Sequence, residues 1–308
     1  MSQSPRSPER RVARPEQNRQ QPNRPEERPD WLKVRVRVTP ALERVQRIVK
    51  EQSLHTVCAS ASCPNLGECW ARGTATFMIG GNTCTRRCSF CDVATGRPDS
   101  LDPFEPGRVA HAVAQLGLRF AVVPCVARDD LPDGGAGQMA ATLRAIRRRC
   151  PDTGIEVLIS DYQGDEAALQ TVLDADPDVL NHNLETVDRL QRRVRAGASY
   201  RRSLEVLRRA AELRPDIPTK SGLILGVGES DAEIDQTLRD LRAVGVELLT
   251  ISQYLRPSDE HLPVERYVTP AEFEAWGQRA RDLGFAEVAS APLVRSSYRA
   301  EQLAGKPG

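Results

Sequence analysis

The chain has 308 residues, with 43 Lys+Arg against 42 Asp+Glu, a formal net charge of +1, 40% hydrophobic and 28% charged residues. That length allows one large domain or two small ones with a sizeable core, and the composition excludes collagen-like and wholly disordered classes. No apolar run approaches the roughly 18 residues that cross a bilayer, and near-neutral charge leaves no footprint for general nucleic-acid binding, so neither a membrane nor a nucleic acid is expected as a partner.

Residues 1–30 carry seven Arg, six Pro and five acids, with Met1, Val12 and Ala13 as their only apolar side chains. Such a segment cannot offset its ordering entropy by burial and reads as a disordered leader. Glu9, Glu16, Glu26, Glu27 and Asp30 argue against an Arg-rich transit peptide, which is poor in acids. With no apolar secretory core either, the expected compartment is the cytoplasm. Order is expected from Trp31, opening an N-terminal extension over 31–74. A short helix is predicted there over 40–50, with Leu42, Val45 and Val49 along one stripe.

From 75 to 290, short β-branched or apolar runs alternate with amphipathic segments. The runs predict strands at 75–79, 120–126, 155–160, 179–183, 219–225, 248–253 and 286–289. Helices are predicted at 106–117, 135–149, 165–174, 186–195, 200–213, 231–243 and 270–283. Asp231 ahead of the Ile234, Leu238 and Leu241 stripe, and Thr269-Pro270, mark two helix starts. This alternation predicts parallel strands with right-handed crossovers. Six or seven units give an α/β fold, an incomplete parallel (β/α)6-type barrel with an N-terminal Cys-rich extension. An open doubly wound sheet is the alternative. Either fold places its site at the C-terminal ends of the strands. Residues 291–308 form a C-terminal segment.

Six of the eight cysteines fall in two triplets. In a reducing compartment, grouped cysteines mean metal or catalysis more often than disulfides. Cys84, Cys88 and Cys91 are spaced C-x3-C-x2-C just after the first predicted strand. Three thiolates at that spacing hold three irons of a cubane cluster and leave the fourth open, as a catalytic zinc keeps an open position. A zinc site is the alternative, with a fourth ligand from His111, His182 or Cys125. Cys58, Cys63 and Cys69 form the second triplet, C-x4-C-x5-C. Zinc ribbons pair C-x2-C knuckles into a closed set of four, so two triplets read better as two clusters. Cys125, in an apolar run, and Cys150, before Pro151, read as small buried hydrophobes.

The C-x3-C-x2-C triplet after strand one resembles that of the radical S-adenosylmethionine (SAM) enzymes, in which the open iron is chelated by the methionine moiety. Taken with the upstream triplet, the sequence resembles the lipoyl synthases specifically. The matching stretches are Ala61-Ser-Cys-Pro-Asn-Leu-Gly-Glu-Cys-Trp70, the run from Cys84 to Pro98, Arg128-Asp-Asp-Leu-Pro-Asp-Gly-Gly135, Asn181-His-Asn-Leu-Glu-Thr186, Lys220-Ser-Gly222, Gln253-Tyr-Leu-Arg-Pro-Ser258 and Arg295-Ser-Ser-Tyr298. The resemblance as a whole runs from about residue 31 to 300.

The resemblance implies insertion of two sulfur atoms, at C6 and C8 of an octanoyl chain amide-linked to a lysine of a lipoyl carrier domain. Those unactivated C–H bonds are beyond any general base, so a cofactor must supply a radical. Two [4Fe–4S] clusters and SAM are the implied cofactors. Cys84, Cys88 and Cys91 would hold the cluster that cleaves SAM. Cys58, Cys63 and Cys69 would hold an auxiliary cluster consumed as the sulfur source, its fourth ligand a serine, Ser297 with Ser296 as the fallback. Phe90, Asp129, Asp130, Asn181 and Glu185 are the candidate SAM contacts, with Asn183 and Gly226-Val-Gly228 beside them. The implied partners are octanoylated E2 subunits or the glycine-cleavage H protein, an electron donor and an iron–sulfur carrier. One departure stands out. Pro124, Cys125, Val126 and Ala127 replace the family's usual Thr-Ser-Val-Asp, which removes a carboxylate near the SAM site.

A biotin-synthase-like enzyme would share only the C-x3-C-x2-C triplet. A two-cluster ferredoxin would supply all its ligands from protein and would not need a 220-residue α/β body. A zinc-stabilised binding module is the third alternative. His182 is given no role.

Overall fold

The computed structural model describes residues 28–33, 40–56, 65, 69, 74–298 and 300–305. Cys58, Cys63 and nearly all of the predicted leader lie outside the described residues. Helix α1 spans Pro40–Glu51. Val45 is buried and Val49 packs half-buried against the same cluster, with Ile48 joining the predicted stripe between them, while the Leu42 side chain lies outside the described residues.

Seven strands form one all-parallel sheet: β1 (Thr74–Thr76), β2 (Phe120–Pro124), β3 (Gly154–Leu158), β4 (Val179–Asn181), β5 (Thr219–Leu225), β6 (Leu248–Gln253) and β7 (Glu287–Ser290). Each pairs with its neighbour in chain order. A doubly wound sheet would reverse that order at a switch point; this one never does. Among the described residues β1 and β7 do not pair, so the barrel is open. Six crossover helices join the strands: α2 (Glu105–Leu116), α3 (Ala136–Arg149), α4 (Glu166–Leu173), α5 (Tyr200–Leu213), α6 (Asp231–Ala243) and α7 (Pro270–Asp282). The predicted helix over 186–195 is instead a 3-10 turn, Asp188–Leu190, and a single turn, Gln191–Val194, in the loop before α5.

Local chemistry sets the helix ends. Ser230 and Glu233 form a capping box on α6, so the cap is one residue ahead of the predicted Asp231. Thr269 and Glu272 do the same for α7, with Pro270 at its start. Gly117 closes α2 in the left-handed conformation.

Several strands are shorter at their C-terminal ends than predicted. Past β1, Met78 leaves the ladder to pair with His55, while Ile79 rejoins it as a lone bridge to Cys125. Those freed ends carry the site.

Alternation along the strands separates two faces. Ile155 and Val157 of β3 join Ala121 and Val123 of β2 in the apolar cluster beneath α2, α3 and α4. Leu249 and Ile251 of β6 join Ile234, Leu238 and Phe273 in a second cluster. Phe77 and Phe273 expose nothing, and truncating either to Ala would cost about 3–5 kcal/mol. The intervening positions face inward and are largely polar: Glu156, Asn181, Lys220 and Thr250. Phe120 and Val122 meet Ala300, in a last turn at Ala300–Leu303, so the C-terminal segment packs into the open barrel.

Candidate active site

The loop from β1 to α2 carries the first triplet. Cys84 ends a two-residue strand, Thr83–Cys84, parallel to Ala94–Thr95. Cys88 is bridged to Arg195, and the Cys91 amide donates to the Cys88 carbonyl at 3.2 Å. Three strand ends grip this loop. The Ala127 carbonyl accepts from the Thr85 amide (3.0 Å) and hydroxyl (2.9 Å). The Ser89 amide donates to the Val194 carbonyl and its hydroxyl to that of Arg193. Beyond β6, His261 Nε2 lies 3.2 Å from the Cys91 carbonyl, and the Leu262 amide donates to the Ser89 carbonyl. Position 127 thus anchors the loop through its backbone, a role that survives the missing carboxylate.

None of the three cysteines is in a disulfide. Burial pushes the Cys84 thiol up, Cys88 to about 11 and Cys91 to about 12. They are therefore protonated at neutral pH, and a bound metal must displace those protons to make thiolate ligands. Among the described residues, no three His, Cys, Asp or Glu side chains stand where they could share one metal ion. Zinc needs such convergence; a cubane does not, because each of its cysteines binds a different iron. The donor set fits the cluster. Two of the three alternative zinc ligands are engaged elsewhere: His111 faces Arg149 at 3.0 Å, and His182 is committed through both ring nitrogens, to the Ile159 carbonyl and the Ser203 hydroxyl, each at 2.9 Å.

Arg86, inside the triplet, is the side chain that sequence reasoning missed. It is buried, with its guanidinium bidentate on Asp129 (2.7 and 2.8 Å) and a third bond to Asp161 at 2.6 Å. Asp161, past β3, also accepts from Arg202 of α5 at 2.7 Å. Its carboxyl is fully buried. Burial alone would raise its pKa, but the Arg86 and Arg202 bonds outweigh that and hold it at about 2. Three other segments are thereby tied to the cysteine loop. Asp129 spends its carboxylate on this network, and Asp130 spends its own on Arg128 (2.9 Å). Both candidate SAM contacts lie at the strand ends, each already in an ion pair.

At the end of β4, Asn181 donates to Glu156 at 2.8 Å and Asn183 donates to Glu185 at 3.0 Å. The side-chain oxygens of both asparagines are buried with no partner among the described residues. An unmet buried acceptor is costly and asks for a donor from a ligand. Glu185 has φ 64°, a strained conformation for a non-glycine residue and one that concentrates at functional sites. Burial raises its carboxyl pKa, against the nearby Arg195 charge. Gly222 has no side chain because none fits: a Cβ would lie 2.7 Å from Thr250 Oγ1 and 2.8 Å from Asn183 Oδ1. The amides of Gly226 and Val227 donate to Glu229. Phe90 packs with Val187, Val194, Val227 and Tyr254, an apolar patch beneath the cysteine loop. Cys125 and Cys150 pack against the helix-side core, as small hydrophobes do.

Of the second triplet, Cys69 is described. Its amide donates to the Asn65 carbonyl, and the Asn65 side chain donates to the Leu293 carbonyl at 2.6 Å, across 228 residues. Just beyond Leu293, Arg295–Tyr298 closes a turn through the Tyr298 amide and Arg295 carbonyl at 2.8 Å. Ser296 and Ser297 occupy its centre, half-buried, and neither hydroxyl is bonded to another described residue. Lys220, fully buried, reaches the Ser296 carbonyl at 2.6 Å and Glu156 at 2.8 and 3.0 Å.

With this geometry in view, the Radical SAM superfamily profile matches residues 78–241. The lipoyl synthase of Rubrobacter xylanophilus is 56% identical over 275 residues, covering 89% of this chain and 86% of that protein. The lipoyl synthase of Methylococcus capsulatus is 55% identical over 285 residues, covering 92% and 88%. The chain belongs to the lipoyl synthase family. It is a radical SAM enzyme of sulfur insertion, with SAM and two [4Fe–4S] clusters as cofactors. In fold it is also similar to HydG, a maturase of the [FeFe]-hydrogenase, at a TM-score of 0.53 and 13% identity, covering 85% of this chain and 72% of that one. Among the described residues no helix is long and apolar enough to cross a membrane.

Proposed function

We propose that this lipoyl synthase divides its chemistry between two sites built from separate parts of the chain. Cys84, Cys88 and Cys91 hold one cluster, which when bound supplies the electron that cleaves SAM to a 5′-deoxyadenosyl radical. Cys58, Cys63, Cys69 and Ser297 hold the other, a substrate in effect, since its sulfur ends at C6 and C8 of the octanoyl chain. Ser296 is the fallback ligand. A hydroxyl binds iron weakly beside thiolate, which suits a cluster built to be dismantled.

The chain's own residues bind and orient. Arg86, Asp129 and Asp161 fix the cysteine loop. Asn181, Asn183 and Glu185 offer buried acceptors to the ribose and amino groups of SAM, and Phe90 packs the loop from below. The observation that carries the two-site reading is the Asn65–Leu293 bond, which supports bringing the Cys69 turn beside the serine turn from opposite ends of the described chain.

The functional division follows: a leader over 1–30, an extension over 31–74 with the auxiliary cysteines, the barrel over 75–290, and a serine-bearing segment over 291–308. The partners are octanoylated E2 or glycine-cleavage H proteins, an electron donor and an iron–sulfur carrier, in the cytoplasm. The test is anaerobic turnover of reconstituted enzyme with reductant, SAM and an octanoyl-lysyl peptide, followed by mass spectrometry. The expected result is two sulfurs added with about two deoxyadenosines per product, as radical use at two carbons requires. Deoxyadenosine without sulfur on the peptide would overturn the role of the second triplet. Failure of both despite full iron loading would overturn the assignment entirely.

A further inference from the structure

Lys220 and Glu156 are both fully buried and paired inside the barrel, and neither is among the residues assigned to the clusters or to SAM. A buried ion pair is poor evidence of stability, because well-packed apolar residues of similar volume often do as well or better. Its use has to be sought in what it specifies. All three bonds of the ammonium are accounted for: two to Glu156 on β3 and one to the Ser296 carbonyl. Glu156 also accepts from Asn181 on β4. The chain of contacts therefore runs from the middle of the sheet to the centre of the serine turn.

We infer that Lys220, held by Glu156, is the positioning residue that seats the Arg295–Tyr298 turn, fixing where its serine hydroxyls project. This inference rests on the two-site reading above and adds to it a buried support for the serine ligand. Two features argue for it. The bond is to a backbone carbonyl, so it sets the turn's place whichever serine binds iron. Asn65 grips the same segment three residues earlier, at Leu293, from the Cys69 side. The turn is thus held between the barrel floor and the cysteine segment, and a ligand so held needs no reorganisation to meet its metal.

The test uses the double variant E156Q/K220M, which removes both charges together, leaves no unpaired buried charge, and keeps an acceptor for Asn181. E156Q alone keeps a carbonyl oxygen to hold the Lys220 ammonium, and with it the Lys220 bond to Ser296. In iron-free protein, hydrogen exchange at the Tyr298 amide should quicken at least tenfold in the double variant and stay within threefold of the parent in E156Q. The 219–225 strand should remain protected in both, showing that the barrel is folded. In reconstituted protein the double variant should still cleave SAM, while deoxyadenosine per lipoyl product rises at least tenfold. Unchanged Tyr298 exchange, equally fast exchange in E156Q, or loss of SAM cleavage and sulfur insertion in step would each overturn the inference. Should the parent itself cleave SAM without inserting sulfur, the two-site reading fails, and the exchange result alone decides whether Lys220 seats the turn.

Discussion

Replacing Asp161 with Asn keeps the shape of the side chain and removes its charge from between two guanidinium groups. Asp161 is ionised at about 2 in the folded protein against an ordinary 3.8. A difference of nearly two units corresponds to about 2 kcal/mol of preferential stabilisation of the folded state. Because the folded value is the lower one, the contribution is complete above pH 3.8 and fades only as pH falls through about 2; at pH 7 it is at full strength. Breaking a buried pair outright costs about 3–5 kcal/mol. Here Arg86 keeps Asp129, and Arg202 is partly exposed, so D161N is expected to lose about 2–3 kcal/mol. Urea unfolding of iron-free protein at pH 7 measures it. A double-mutant cycle with Arg86→Met should recover most of the loss as coupling. The control is E205Q. Glu205 has a comparably lowered carboxyl, held by Arg208 and Arg209, but it sits in solvent, where screening leaves such pairs little net effect. A D161N midpoint shift no larger than that of E205Q would refute the reasoning.

Burial lowers His182 from 6.5 to about 4, so its neutral form is the folded one. Stability should decline as pH falls from 6.5 to 4, by up to about 3 kcal/mol, and H182Q should flatten that stretch of a urea midpoint-against-pH plot. Gly222→Ala drives a Cβ into Asn183 Oδ1 and Thr250 Oγ1. It should cost about 1–3 kcal/mol of stability and at least tenfold in deoxyadenosine formation, read by chromatography of single turnovers. Cys69→Ala should lower reconstituted iron from about eight to about four per chain while SAM cleavage persists, whereas Cys88→Ala should abolish cleavage. Iron analysis beside deoxyadenosine yield checks both.

The barrel was legible because strand–helix alternation is a strong periodic signal, and the first triplet because close cysteine spacing is local. What the sequence hid is long-range and polar. Glu156 and Lys220 read as interruptions in apolar strands, and nothing local says that an inward-facing Lys on β5 meets an inward-facing Glu two strands away. Arg86 lies between two cysteines of the triplet; its partners Asp129 and Asp161, and Arg202 that shares Asp161, come from three other segments. The helix predicted over 186–195 failed because its apolar residues, Val187, Leu190 and Val194, pack with Phe90, Tyr254 and Ile224 in a small cluster of their own rather than in the two larger cores beneath the crossover helices. Register near the strand ends was overestimated for the same reason that the site exists there: those residues leave the ladder to hold something.

The bond from Asn65 to Leu293 also sets a timetable. At about 5–20 residues per second, residue 293 leaves the ribosome on the order of 10–45 s after residue 65. Through that interval the Asn65 side chain lacks its Leu293 carbonyl. The Arg86 network needs nothing beyond Arg202, and the Ser89 and Cys91 contacts nothing beyond Leu262, so the Cys84–Cys91 loop closes ahead of that seam. A chain stalled in its last strand would therefore carry the Cys84–Cys91 loop with its contacts made and the Asn65–Leu293 seam open.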